Sequence, residues 1–455
     1  MVMRPLVVPL ALLLPAAGLL LAVATRGQEE VPYAPSNLST ASGKRPSPDS
    51  YYEAADCGEC HVTQYNQWRG SMHSRAHHDS IYLAFAELAR EEGGEALYKF
   101  CSSCHAALAV ATGEIPGGEP TFLTNEGITC DVCHSVKSIR AVHEGGGANA
   151  SIVLEEGEAR YGPLADAVDN PNHTSAYSEL HTKSELCSAC HTLKHPTNGL
   201  LIENTYEEWK KSPYAKAGIQ CQDCHMRTAA QAAEVARTMT PLKVPGKATV
   251  DGAERPDVHA HIFAGGNAND KLVGASGVHS AEAEARLKSA ATLALSLPKS
   301  AVPGATVEIE VAVTNVGAGH AIPTSITELR QVWIDLVVRD AGGKEVYRSG
   351  AVDAGSGKVD RNAVMYHAVL LDDEEEVTYK PWLAVEMLEE KLIPPKETVR
   401  ERYEVRISKV ARGPFTVKAV LRYRSAPQEV MNQLFGRGRF PLRIVDMATV
   451  EGQIK

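Results

Sequence analysis

The chain has 455 residues, with 46 Lys and Arg against 56 Asp and Glu and a formal net charge of −10. The length allows two or three domains, and the acidity makes the chain a poor match for nucleic acid or an anionic lipid surface. Aromatic residues are only 6% of the total, which is lean for a large core built from side chains alone.

Residues 1–24 open with Arg4, run almost wholly apolar from Pro5 to Ala24, and end in the small-x-small pattern Ala22-Val23-Ala24. This predicts a secretory signal peptide and export to the periplasm or beyond. About 20 apolar residues could also remain as an uncleaved anchor, but Pro9 and Pro15 favour the cleaved signal. Residues 25–50 are rich in Pro, Ser, Gly and Asn without periodicity, and predict a flexible linker.

Residues 51–280 carry all ten cysteines, in five Cys-x-x-Cys-His units. These are Cys57/Cys60/His61, Cys101/Cys104/His105, Cys130/Cys133/His134, Cys187/Cys190/His191 and Cys221/Cys224/His225. This is the attachment signature of c-type haem: two thiols bond the porphyrin and the adjacent histidine reaches the iron. Zinc ribbons pair two CxxC units and would leave the fifth unmated, and redox dithiols need no histidine after the second cysteine. Five covalently bound haem c groups are therefore expected. The gaps between units are irregular, which argues against tandem duplication. Helical spacing is present over Ile81–Arg90, a helical turn or two over Tyr206–Lys211, and a helix from Val62 through Trp68 would carry the chain on toward His73. The Gly- and Pro-rich stretches at Thr112–Pro120 and His143–Asn149 would need cofactors to organise them.

From residue 281 to 455 the pattern changes to period two. Val307, Ile309, Val311 and Val313 alternate with polar residues, Val332–Val338 repeats the pattern, and Asp340–Gly343 supplies a turn before Glu345–Tyr347. Further strands are expected at Arg402–Ile407, Phe415–Arg424 and Pro441–Val445. The fold class is thus α+β: a mostly helix-and-loop multihaem domain, then an antiparallel β-sandwich of immunoglobulin-like size.

Five irons leave five distal positions, and twelve histidines stand outside the motifs. That supply is enough for bis-histidine ligation throughout, which suits electron transfer; an iron left open suits catalysis. The absence of any CxxCK unit excludes a lysine-ligated catalytic haem of the pentahaem nitrite-reductase type. Methionine offers only Met72, Met226 and Met239 in residues 51–280.

Three stretches carry a resemblance. Ala55–Ala76 (ADCGECHVTQYNQWRGSMHSRA), Gly127–His134 (GITCDVCH) and Gly218–Met226 (GIQCQDCHM) resemble sites of multihaem c-type cytochromes. The first two are similar to the tetrahaem cytochrome c (cytochrome c-554-like) family of nitrifying bacteria. The resemblance implies His73 as distal ligand to a later haem, the third, and His143 as distal ligand to the fourth. His261, in His261-Ile262-Phe263-Ala264-Gly265-Gly266-Asn267, and His320, in Gly319-His320-Ala321-Ile322-Pro323-Thr324, resemble ligand units recurring in multihaem cytochromes. His181 is a further candidate. A fifth haem and a β-domain depart from the family. The expected function is electron transfer between redox protein partners. Two alternatives stay open: an oxidoreductase acting on a small nitrogen or sulfur compound at one five-coordinate haem, and a subunit of an extracellular cytochrome filament. Membrane association through an uncleaved N-terminus or a partner, and oligomerisation, are left open as well.

Overall fold

Period-two alternation from Val307 onward does become strand, and the computed structural model closes those strands into a β-sandwich. The structure describes residues 33–142, 146–270, 272 and 277–455. The expected signal peptide lies outside them. Among the described residues no helix is long and apolar enough to cross a membrane.

The N-terminal half is built from short helices and loops. Helices α1 (Ala54–Cys60) and α2 (Val62–Trp68) meet at His61, and α3 (Ser80–His105) follows. The sequence pattern over Ile81–Arg90 marks only the first part of α3. Gly94, at φ 74°, ψ −173°, kinks the helix, a conformation that glycine adopts without steric cost, and the second limb delivers the second CxxCH unit. Helix α4 (Cys130–His134) is the third unit itself, and α5 (Thr205–Lys211) lies between the fourth and fifth. A small antiparallel hairpin, β1 (Leu193–Lys194) and β2 (Leu201–Glu203), follows the fourth unit.

Residues 33–50 correct the expectation of a flexible linker. Tyr33 and Leu38 are fully buried in the same apolar cluster as Leu108, Leu123 and Leu154. The Tyr33 hydroxyl donates to the Ala111 carbonyl at 3.1 Å, and Ser39–Thr40 pairs in parallel with Val153–Leu154. The composition is irregular, but two large apolar side chains anchor the segment, each worth about 1.5–3 kcal/mol when fully buried.

Helix α6 (Val278–Ala290) leads directly into β3 (Ala291–Ser296). One sheet runs β3–β4–β10, with β4 at Thr306–Asn315 and β10 at Thr398–Arg406. The facing sheet contains β5 (Gln331–Arg339), β6 (Glu345–Ser349), β7 (Met365–Leu371), β8 (Val377–Thr378), β9 (Glu386–Lys391), β11 (Phe415–Arg424) and β12 (Val445–Ile454). All pairings in both sheets are antiparallel. Ile309, Val311 and Val313 from one sheet meet Ile334, Leu336, Val417 and Leu421 from the other in one apolar core. The last strand starts at Val445 rather than ending there. Pro441 has no N–H to give a ladder, and the Leu442 N–H is already donated to Gln428 Oε1 at 3.0 Å.

Candidate haem-binding cavity

In each motif the two cysteines and the histidine stand at i, i+3 and i+4, so one helical turn puts all three on one face. The backbone makes that turn: the His61, His191 and His225 N–H groups donate to the Cys57, Cys187 and Cys221 carbonyls at 2.8, 2.9 and 2.8 Å. All ten cysteines and all five motif histidines line one continuous cavity of about 1800 Å³, beyond the roughly 300–1,000 Å³ of an ordinary small-molecule site. All ten thiols are free. Among the described residues no three or more His, Cys, Asp or Glu side chains are gathered around a metal position, so the thiols are not arranged as zinc sites.

Each motif histidine has its Nδ1 engaged. His61 donates to the Ala248 carbonyl at 2.7 Å, His105 to Ala76 at 2.8 Å, His134 to Tyr161 at 2.6 Å and His225 to Ala264 at 3.0 Å. His191 reaches Glu203 Oε1 at 3.3 Å. Such bonds fix the tautomer and leave Nε2 as the metal-binding nitrogen.

Four of the five face a second histidine. The ring centroids of His61 and His173 are 6.4 Å apart, His73 and His191 6.4 Å, His134 and His261 6.4 Å, and His225 and His320 6.1 Å. A ring nitrogen lies about 1.1 Å from its centroid, so two rings meeting nitrogen to nitrogen at this spacing leave about 4 Å, room for one metal at roughly 2 Å from each. Three of the four second histidines repeat the Nδ1 pattern: His173 to the Thr174 carbonyl at 3.2 Å, with Asn170 Nδ2 also 3.3 Å from its Nε2, His261 to His259 at 3.2 Å and His320 to Ala321 at 2.9 Å.

Electrostatics agree with neutral imidazoles at His73, His261, His225 and His105, and His191 is the exception. Desolvation, then the neighbouring histidine, carries His73 and His261 down to about 3, and desolvation likewise takes His225 to about 3 and His105 to about 4. At His191 desolvation is outweighed by the Glu203 hydrogen bond and charge, and the imidazole rises to about 9. These residues fit haem c: paired free thiols beside a histidine of fixed tautomer, with a second histidine across.

The placements revise the implied ligands. His73 faces His191 of the fourth motif, not the third, because residues 71–76 are strapped against the segment before Cys130. The Ile128 N–H donates to the His73 carbonyl at 2.9 Å, and a Cβ on Gly127 would come 2.8 Å from that oxygen. The third motif instead faces His261. His181 lies 5.8 Å from His134; its Nε2 donates to the Cys133 carbonyl at 3.0 Å and its buried Nδ1 has no partner, so it would offer Nδ1 where His261 offers Nε2. His143 lies outside the described residues. His173 was missed, since the turn Asn170-Pro171-Asn172-His173 carries no motif. At the second motif, Tyr82 stacks on His105 at 3.8 Å and 11° and hydrogen-bonds Ser102 at 3.2 Å. Among the described residues no histidine pairs with His105 in the way of the other four.

Cysteines of different motifs also meet. The thiols of Cys57 and Cys130, Cys104 and Cys190, and Cys187 and Cys221 interact directly. Sites one and three, two and four, and four and five are therefore neighbours. The charge of Cys190 acts on Cys133 as well, which brings the third and fourth sites within reach of one another.

Residues 56–135, which include the first three motifs, match the family described as cytochrome c554 and c-prime. A penta-haem cytochrome c552 from Thermochromatium tepidum shares the fold, with a TM-score of 0.61 and 20% identity over 90% of this chain and 99% of that one. A CARDB domain from Pyrococcus furiosus aligns with 36% of this chain and 87% of its own length at 11% identity and a TM-score of 0.17. Comparison with curated proteins gives no match. The attachment motifs thus line one cavity, the first three lie in a segment similar to the cytochrome c554 and c-prime family, and the chain has the fold of a penta-haem cytochrome.

Proposed function

We propose that the chain is an exported pentahaem cytochrome c that carries electrons between protein partners. The observation that carries this reading is the set of four histidine pairs at 6.1–6.4 Å within one cavity. Haem c bound at the five thiol pairs would supply one-electron chemistry. The chain's own residues bring the sites together through the cysteine contacts, fix each imidazole through its Nδ1 bond and close four positions to substrates. Reductive titration of the purified holoprotein tests the reading. Five reducing equivalents per chain are expected, all returned to an external oxidant, with haem that stays on the polypeptide after acid–acetone extraction. Fewer equivalents, or extractable haem, would contradict it.

Catalysis at the second motif is a second reading, favoured by the lack of a histidine pair at His105 among the described residues. Tyr98 and His77 stand nearby, joined by a 3.3 Å hydrogen bond. Binding of cyanide at one site per chain, with turnover of a small substrate abolished by it, would support this reading. Cyanide binding without any turnover would leave electron transfer as the function.

A further inference from the structure

Strands β7, β8 and β9 form a face with an apolar centre and an acidic rim. The register aligns Val377 of β8 and Glu386 of β9 on either side of Leu371. Val377, Val385 and Leu388 are 59%, 50% and 60% exposed. Around them the run Asp373–Glu376 and Glu386 and Glu389 are all exposed. Both lysines of this segment are already used: Lys380 pairs with Glu92, and Lys391 with Glu401. Charge on an edge strand by itself blunts aggregation. That role gives no reason to keep three large apolar side chains open in the middle of the charge.

The face adjoins the haem cavity. Between β8 and β9 the chain makes a short turn, Pro381–Leu383, and Pro381 and Trp382 line the cavity. The Trp382 carbonyl accepts from His195 Nε2 at 2.8 Å, four residues past His191. The Trp382 ring meets Phe85 at 6.2 Å, on the helix that carries Tyr82 and the second motif. Ala384 and Met387 pack against Ile202 and Leu193, so the face is fixed on the hairpin after the fourth motif.

We propose that this face docks a redox protein whose surface presents lysines around an apolar centre, delivering electrons to, or taking them from, the second and fourth sites. This rests on the electron-transfer reading and adds the partner's chemistry and point of entry. Charge complementarity selects the occupant. A second copy of this chain would bring acid against acid, and an anionic lipid surface would be repelled.

Stopped-flow electron exchange between the holoprotein and a lysine-rich monohaem cytochrome c, as a probe, tests the proposal across ionic strength. Reversing the rim in E374K/E375K/E376K should lower the second-order rate on the order of tenfold or more at low salt and flatten its salt dependence. Leu388→Ser should weaken the complex without changing the salt slope. The matched triple E308K/E404K/E451K, with the same change of net charge on other strands, should keep most of the rate. Equal losses in both triples, or none in the first, would overturn the proposal, as would a wild-type dimer in sedimentation that the rim variant abolishes. Reduction by dithionite should be unaffected in every variant. If the wild type takes no electrons even from dithionite, the electron-transfer reading itself falls and this inference with it.

Discussion

Which ring nitrogen a histidine has already spent decides what it can hold. His261 and His181 both lie beside His134, yet His261 commits Nδ1 to a backbone carbonyl and keeps Nε2, the nitrogen the motif histidines also keep, whereas His181 commits Nε2 and keeps only Nδ1. His261→Ala should therefore turn one iron high-spin in the electron paramagnetic resonance spectrum of the oxidised protein, and His181→Ala should not. The reverse pattern would exchange their roles. Glu328 shows the same economy in a carboxyl. It is 2% exposed, neither oxygen has a partner, and burial, with Glu203 adding and Arg330 opposing, raises it from 4.5 to about 8. The folded chain thus keeps a proton that the unfolded chain loses near pH 4.5. Its contribution is complete below that pH and is lost as pH rises toward 8. Glu328→Gln should match the wild type near pH 4 and exceed it at pH 8 by on the order of 2–4 kcal/mol, read as the midpoint of unfolding across pH. Parallel curves for the two proteins would contradict this.

Elements bring ligands from far apart in sequence, and one interaction on α5 holds the most distant of them. The Glu208 carboxylate accepts from the Ala321 N–H at 3.0 Å and the Thr324 hydroxyl at 2.8 Å, on either side of a loop that begins with His320. Glu208→Ala leaves those donors unpaired, at about 1–3 kcal/mol for a buried group. It should lower the unfolding midpoint and raise the high-spin fraction at the fifth site, while covalent haem content stays unchanged. A stability loss with an unchanged spin state would show that Glu208 only braces the loop. The motifs and the β-strands were legible in the sequence, because both follow from local spacing: i, i+3, i+4 for the haem units and alternation for Val307–Val313. The pairing of histidines was only partly legible. His261 and His320 carried local patterns, but His73 was assigned one motif too early, and His173 sits in a turn with no periodicity at all. Each pair is set by tertiary contacts such as the approach of Gly127 to residue 73, which no window of sequence contains.

Across the whole molecule, the histidine pairs would act as cross-links between distant segments. His73 follows the first motif and faces the fourth, His173 lies between the third and fourth and faces the first, and His320 comes from the β-sandwich to face the fifth. The residues around the five motifs, together with sandwich residues such as Ala318, His320 and Ile322, line a cavity of about 1800 Å³ beside smaller apolar clusters, whereas the sandwich has a larger core of its own. Expression without haem attachment should accordingly leave a chain whose 51–280 region is digested by protease while a fragment beginning near β3 survives. Uniform resistance would contradict that division. The central claim, histidine pairs closing four sites and, among the described residues, no such pair at the second, is tested most directly by spin quantitation in the electron paramagnetic resonance spectrum of the oxidised holoprotein. Four low-spin irons to one high-spin iron per chain are expected, with the high-spin signal unaffected by His261→Gln replacement of a neighbour's ligand except for the one iron it adds. Two or more high-spin irons in the wild-type protein, or five low-spin irons, would contradict it.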